Sequence, residues 1–470
     1  MSGSSGPAAR TGGSALSGVS DVEPSIFLAF HLPNAATWLY FSLILTVALF
    51  FQFGRVFSLR NLDLLTLFLL APGLLLLMEA HTRLAAGDPA AAEVGRREVV
   101  LAYSWLLAGS AYWFVRAILD LALVRRPAAS PNVNTPGLGW LGVALFVCLT
   151  AVAVQRTGDA IVPGPVGTRP LPIEQFQDGA TALAQQTQAG PGRASPAEVR
   201  FWVERSLAMG SHLAIAVGLL MIGWKHFQDT TAGVALGTLY LLLPYTAFHI
   251  GQFHLVWPAA FVTWAVFCYR RPVLSGWLLG LGAGSAFVPL LLFPLWVGFY
   301  ARRGAGRFAL AFALALGVSL GVIGLVMWWD GWLAAGLSAA NLAEWLPWKR
   351  AAAESLWTGV HGAYRLPIFV LYVAFLVGIS FWPSPKNLSH LVSLSAAVLI
   401  GVQFWHADRG GVYVLWYLPL VLLMVFRPNL TGHQPPLIEP GDGRVLKWAG
   451  AAWRRVRPAR GTTATNELAV

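Results

Sequence analysis

Few residues of this chain carry chemistry: of its 470 residues, 21 are Asp or Glu, 32 are Lys or Arg and 10 are His. Most of them fall in polar stretches between long apolar runs, and those stretches are where protons can move and anions can bind. The stretch 156–205 opens RTGDAIVPGPVGTRPLPIEQFQDGATALAQQ, and that opening holds three carboxylates, Asp159, Glu174 and Asp178. Gln252 and His254, just after Gly251, bring an amide and an imidazole suited to the oxygens of a sugar or a phosphate. A turn that satisfies its own amides is the competing reading. Cations able to hold an anion are Lys349, Arg350, Arg365 and Arg409, the last inside WHADRGG at 405–411 beside His406 and Asp408. That segment can equally be the hydrophilic turn that a helical hairpin needs. His254, His361 and His406 come from separate stretches, and no H-x-x-x-H or acid-rich spacing points to a metal. No P-loop, dinucleotide fingerprint or nucleophile elbow occurs, so no cofactor is expected.

The elements that must position these residues are membrane helices. With 56% hydrophobic and 11% charged residues and a mean hydropathy of +0.62, the chain has too little polar surface for a water-soluble globule. Apolar runs of roughly 17–25 residues cross a hydrocarbon core of about 30 Å as helices, which satisfy their own backbone there. Such runs lie at 36–53, 61–80, 99–123, 137–155, 206–224, 232–250, 252–269, 273–300, 308–329, 366–382, 389–405 and 412–426. The run 273–300 is overlong and broken by Gly282, Gly284, Pro289 and Pro294, which predicts two short helices, a hairpin or re-entrant pair. The fold class is therefore all-α and polytopic, with about 12–13 transmembrane helices.

Positive charge sets the orientation, since Lys and Arg near helix ends resist translocation. Arg55, Arg60, Arg125, Arg126, Lys225, Arg270, Arg271, Arg302, Arg303 and Lys386 fall on one side, the expected cytoplasmic side. The net charge of +11 is then mostly topogenic and gives no nucleic-acid signal. The tail 428–470, with six Lys and Arg between Arg444 and Arg460, reads as a basic cytoplasmic anchor on anionic membrane lipid. Residues 1–35 are expected to be a disordered or interfacial tail without a cleavable signal peptide. Between the tails, 36–130 reads as an N-terminal three-helix module and 137–427 as the core, with outward loops at 156–205 and 331–365.

In the first outward loop, Ser195, Pro196 and Glu198 form a helix-start signature. The helix that follows is expected to run along the membrane surface before turning in. The second loop carries Trp345, Trp348 and Trp357, either interfacial anchors or a platform for a sugar ring. Asp63 and Asp120 lie in or beside spans on the cytoplasmic side, where helix capping or pairing with Arg116 or Arg125 is expected. Cys148 and Cys268 lie in separate spans and read as packing residues.

The stretch 245–303 adds a family likeness. Pro244 closing one span, the outward pair Gly251 and Gln252, a helix ending on Arg270 and Arg271, and a Gly-rich run leading into Pro289 and Pro294 together resemble glycosyltransferase family 87, membrane enzymes of the GT-C fold. WYLPLVLLMVF at 416–426 looks like that family's closing helix. The family usually has a Lys shortly before the Pro; here Ser285, Ala286, Phe287 and Val288 stand in that place. The resemblance implies transfer of a hexose, often mannose, from a polyprenyl-phosphate donor to a lipid or glycan acceptor on the non-cytoplasmic face. It also implies a carboxylate just outside the first core helix as general base. Asp159 is the first choice and Asp178 the second. Gln252, His254, Lys349, Arg350 and Arg409 would bind substrate. The competing functions are a transporter or lipid flippase built around the broken run 273–300, and an inactive relative that keeps the fold.

Overall fold

A computed structural model describes residues 34–123, 131–155, 172–187, 195–301, 303–329 and 355–435. The chain divides at Ala35, and every element below belongs to the unit from Ala35 onward. Among the described residues the secondary structure is helical throughout, and the protein is an all-α, multi-pass membrane protein. Seven of the described helices are long and apolar enough to cross a bilayer, and five more apolar helices are shorter.

In chain order the helices are α1 (Ala35–Phe50), α2 (Leu59–Thr66), α3 (Ala71–Ala85), α4 (Pro89–Leu119), α5 (Thr135–Gln155), α6 (Pro172–Thr187), α7 (Pro196–Ile222) and α8 (Thr230–Leu242). There follow α9 (Pro244–Phe248), α10 (Phe253–Phe267), α11 (Pro272–Ser285), α12 (Phe293–Phe299), α13 (Ala305–Trp329), α14 (Leu366–Phe381), α15 (Leu388–Trp405) and α16 (Val414–Phe426). Local sequence sets several starts. The side chains of Ser58, Asp88, Ser195, Asp229 and Asn387 each accept a hydrogen bond from a backbone N–H of the turn they precede.

The helix beginning at Ser195 departs from expectation. Instead of lying on the surface and then turning, α7 runs unbroken for 27 residues and continues into a π-turn at Gly223–Phe227. Its amphipathic start, with Arg200, Glu204 and Arg205, simply extends the membrane helix outward, because nothing in 196–222 breaks the backbone hydrogen-bond ladder after Pro196.

The run 273–300 does break. Helix α11 ends at Ser285, Ala286 is extended (φ −150°, ψ 136°), and a 3-10 turn over Val288–Leu292 leads into α12. Gly276, Gly280 and Gly284 form a stripe on α11 that lets α13 run parallel to it at very close range. A Cβ at Gly276 or Gly280 would sit 2.5 or 2.4 Å from the carbonyl oxygens of Phe308 and Phe312.

The basic residues gather at one end of the bundle, as the charge pattern requires. There the His226 ring bonds the Phe267 carbonyl (2.7 Å), Arg303 donates to the Pro435 carbonyl (2.7 Å), Lys386 to the Ser380 carbonyl (3.0 Å), and the Leu388 N–H to the His433 carbonyl (2.8 Å). Helices α7, α10, α12, α14 and α16 finish at this end, and α8, α11, α13 and α15 begin there. The turn between α9 and α10 and the turn between α15 and α16 consequently lie at the opposite, outward end.

Helix α15 is the centre of the bundle: 89% of its span is buried, against 22% for α13 and α14, which face lipid. Near the basic end, α15 and α16 are tied to α2 and α4 by buried charges. Arg116 grips Asp63 with two bonds of 2.8 Å and reaches Asp120 at 3.3 Å, while Arg427 and Ser393 both donate to Asp120 Oδ2 at 2.7 Å. Two carboxylates and two guanidiniums cancel formally, which is how ionisable groups are held at membrane depth. The pairing with Arg116 agrees with the sequence reading of Asp63 and Asp120. Tyr245 makes a second tie, donating to the Leu67 carbonyl (2.6 Å) and accepting from the Leu70 N–H (3.2 Å) where the backbone ladder between α2 and α3 is interrupted.

Candidate functional site

The outward end of the bundle brings together polar residues that are far apart in sequence. The turn between α9 and α10 is held by a hydrogen bond between the His249 ring Nδ1 and Gln252 Oε1 (3.1 Å), and both side chains are buried. Helix α7 supplies Arg205, whose guanidinium lies over the Phe201 ring, 5.1 Å from its centroid, and reaches Gly251 with its Nη1 end. A Cβ at position 251 would fall 0.9 Å from Arg205 Nη1, so glycine there is a condition for the arginine's placement. Beside it, Glu204 is hydrogen-bonded by the Gln177 side chain of α6.

Deeper along α7, the buried His212 ring bonds the Tyr240 hydroxyl (2.8 Å) and lies within electrostatic reach of His249. His254, in the first turn of α10, lies within reach of both His249 and Arg409. Trp257, one turn further on, donates to Ser285 Oγ (3.0 Å), which places the tip of the broken α11–α12 pair beneath the same turn. Ser285 stands in the segment where the resembled family has its Lys, and its hydroxyl is occupied by Trp257 and by the Gly282 carbonyl (2.9 Å).

Arg409 comes from the turn between α15 and α16, in a left-handed conformation (φ 54°). Its neighbours fix that turn. The His406 ring Nδ1 bonds the Asp408 carbonyl (2.8 Å), the Gly411 N–H donates to Gln403 Oε1 (2.9 Å), and Tyr413 donates to the Asp408 carbonyl (3.3 Å) while stacking on Trp416 at 4.1 Å. Burial pushes the Tyr413 phenol above its ordinary range, so it stays a neutral donor even with Arg409 pulling the other way. Arg365, at the mouth of α14, is buried and interacts electrostatically with Asp408.

Of the residues singled out from sequence, Gln252, His254 and Arg409 thus meet at one end of the bundle. Asp159, Lys349 and Arg350 lie outside the described residues. Asp178 falls on α6, the helix that packs on the outward part of α7, and its side chain lies outside what is described. Trp357, of the second loop, donates to the Phe404 carbonyl (3.2 Å) near the end of α15, and His361 caps the turn leading to Arg365. Sequence reasoning missed Arg205, His212 and Tyr240. Arg205 carried a legible signal, the Phe201–Arg205 spacing of one helical turn, hidden by treating that segment as a surface helix. His212 and Tyr240 sit singly in apolar runs and carried none.

Among the described residues no group of three or more His, Cys, Asp and Glu is arranged to hold a metal ion. Cys148 is exposed and Cys268 half-buried, each a free thiol. What the outward cluster can do is bind an anion or a polyhydroxylated group: guanidiniums from α7, from the turn before α14 and from the α15–α16 turn lie at the same end as imidazoles, an amide and stacked aromatic rings. No family model, no curated protein and no solved structure matches the chain.

Proposed function

We propose that this chain is a glycosyltransferase of the cell membrane that moves a hexose, mannose being the first candidate, from a polyprenyl-phosphate donor to a lipid or glycan acceptor on the non-cytoplasmic face. The observation that carries the reading is the meeting of Gln252, His254 and Arg409 at the outward end, from segments some 150 residues apart, around a turn that Arg205 and Gly251 brace. In the reaction an acceptor hydroxyl oxygen attacks the anomeric carbon, the bond from that carbon to the phosphate oxygen breaks, and the phosphate leaves with the electron pair. The hydroxyl proton passes to a carboxylate, Asp159 or Asp178. Guanidinium groups offset the charge left on the phosphate, and the imidazoles and Gln252 orient the sugar. Apolar helix faces beneath the site suit the prenyl chain.

The test is transfer of labelled hexose from a polyprenyl-phosphate donor by the purified full chain in nanodiscs, with Asp159→Asn and Asp178→Asn beside it. One of the two substitutions is expected to lower the rate by about 100-fold or more with donor binding retained. Absence of both donor binding and transfer in the unaltered protein would sink the reading. The break between α11 and α12 favours a second reading, a lipid flippase or transporter, since interrupted helices often line midplane sites. Movement of a labelled lipid across proteoliposomes without any hexose transfer would decide for it.

A further inference from the structure

Among the described residues, three buried N–H donors stand without acceptors around the outward α15–α16 turn. Arg365 is 1% exposed, yet its Nη1 has no hydrogen-bond partner among the described residues. The indole Nε1 atoms of Trp405 and Trp416 are buried and equally unpartnered. Trp405 is the last residue of α15, and Trp416 stacks on Tyr413, which itself donates to the Asp408 carbonyl. All three belong to groups that only donate: a guanidinium and two indoles hold no lone pair for a donor to use.

A buried guanidinium without a hydrogen-bonded counter-ion is an expensive arrangement, and an unmade bond to a buried indole N–H adds to the cost. Asp408 lies within electrostatic reach of Arg365 but accepts no hydrogen bond at Nη1. The mismatch is one-sided, all donors with a guanidinium among them, and a ligand rich in acceptor oxygens and carrying negative charge removes it.

We propose that Arg365, with the indole N–H groups of Trp405 and Trp416, forms an anion-binding subsite at the α15–α16 turn that takes a lipid-borne phosphate monoester. This deepens the glycosyltransferase reading and rests on it for the nature of the lipid: the monoester is the leaving group of the proposed transfer. It also assigns the anion to Arg365 rather than to the segment before Pro289, where Ser285 is already bonded to Trp257.

The full chain in nanodiscs is titrated with farnesyl phosphate, with farnesol, and with inorganic phosphate, following the thermal unfolding midpoint and the apparent Kd. Farnesyl phosphate is expected to bind at least tenfold more tightly than farnesol, and Arg365→Gln to remove that preference while leaving farnesol unchanged. Trp405→Phe, which keeps an aromatic ring and deletes one N–H, is expected to weaken farnesyl phosphate three- to tenfold, and it serves if Arg365→Gln does not fold. Inorganic phosphate binding as tightly as farnesyl phosphate would overturn the lipid-borne assignment. A preference for farnesyl phosphate that survives both substitutions would overturn the subsite. Arg365-dependent binding in a protein that transfers no hexose would keep the subsite and remove the glycosyltransferase reading, whereas full transfer activity in Arg365→Gln would do the reverse.

Discussion

At the scale of single residues, Gly251 and Arg205 form the tightest constraint on the outward turn. Because a Cβ at 251 would meet the far end of a flexible side chain rather than backbone, Gly251→Ala should displace the guanidinium without unfolding the turn. The expected outcome is a loss of hexose transfer of about tenfold or more with stability changed by less than about 1 kcal/mol, read by activity and thermal unfolding on the same sample. At the basic end, burial, with Arg270 adding to it, lowers the titration point of His433, whose carbonyl anchors the start of α15. The unfolded chain therefore binds this proton more readily than the folded one. Stability is complete above the unfolded value of about 6.5 and is lost as the pH falls through it toward the lower folded value. His433→Asn should flatten that dependence; unfolding midpoints at pH 7.5 and 5.5 that fall equally in both proteins would count against it.

Helix-level packing rests on two devices, one of shape and one of charge. The stripe Gly276, Gly280, Gly284 faces α13, and the atom a new Cβ at 280 would strike is a backbone oxygen, which cannot move away as a side chain can. Gly280→Ala should therefore cost about 1–3 kcal/mol, checked by thermal unfolding in nanodiscs. Asp120 takes bonds from Arg116, Arg427 and Ser393, joining the helix that closes the N-terminal three to α15 and α16. Asp120→Asn leaves Arg427 buried without its counter-charge and should destabilise by about 3–5 kcal/mol. The paired deletion of Asp63 and Arg116 should lose less than the two single substitutions added together, which a double-mutant cycle reads directly. Sequence alone made the broken pair α11–α12 and the cap at Ser195 legible, because each depends on residue type within one or two turns, whereas Gly282 and Gly284, read as breakers, lie inside α11. It misjudged α7, since amphipathicity at a helix start looks the same for a surface helix as for one that projects from the membrane.

For the whole molecule, the alternation of helix ends places the α3–α4 loop and the C-terminal strap at Gly432 on opposite sides. In a chain lacking Cys148 and Cys268, Ala86→Cys should react with an impermeant maleimide only from the non-cytoplasmic side and Gly432→Cys only from the cytoplasmic side. Labelling of both from one side would break the topology and, with it, the outward position of the candidate site. Composition, span length and the placement of Lys and Arg were enough to establish a multi-pass, all-helical membrane protein, since the cost of unsatisfied backbone in lipid leaves a chain of this hydropathy few alternatives. They could not say which of the scattered polar residues meet. That His254 stands near Arg409, that Arg205 reaches Gly251, and that Arg365, Trp405 and Trp416 keep open donors around one turn are products of helix order and packing around α15. Periodicity fixes which face of a helix is apolar, but contacts between residues on different helices, dozens of positions or more apart, arise only when the bundle closes.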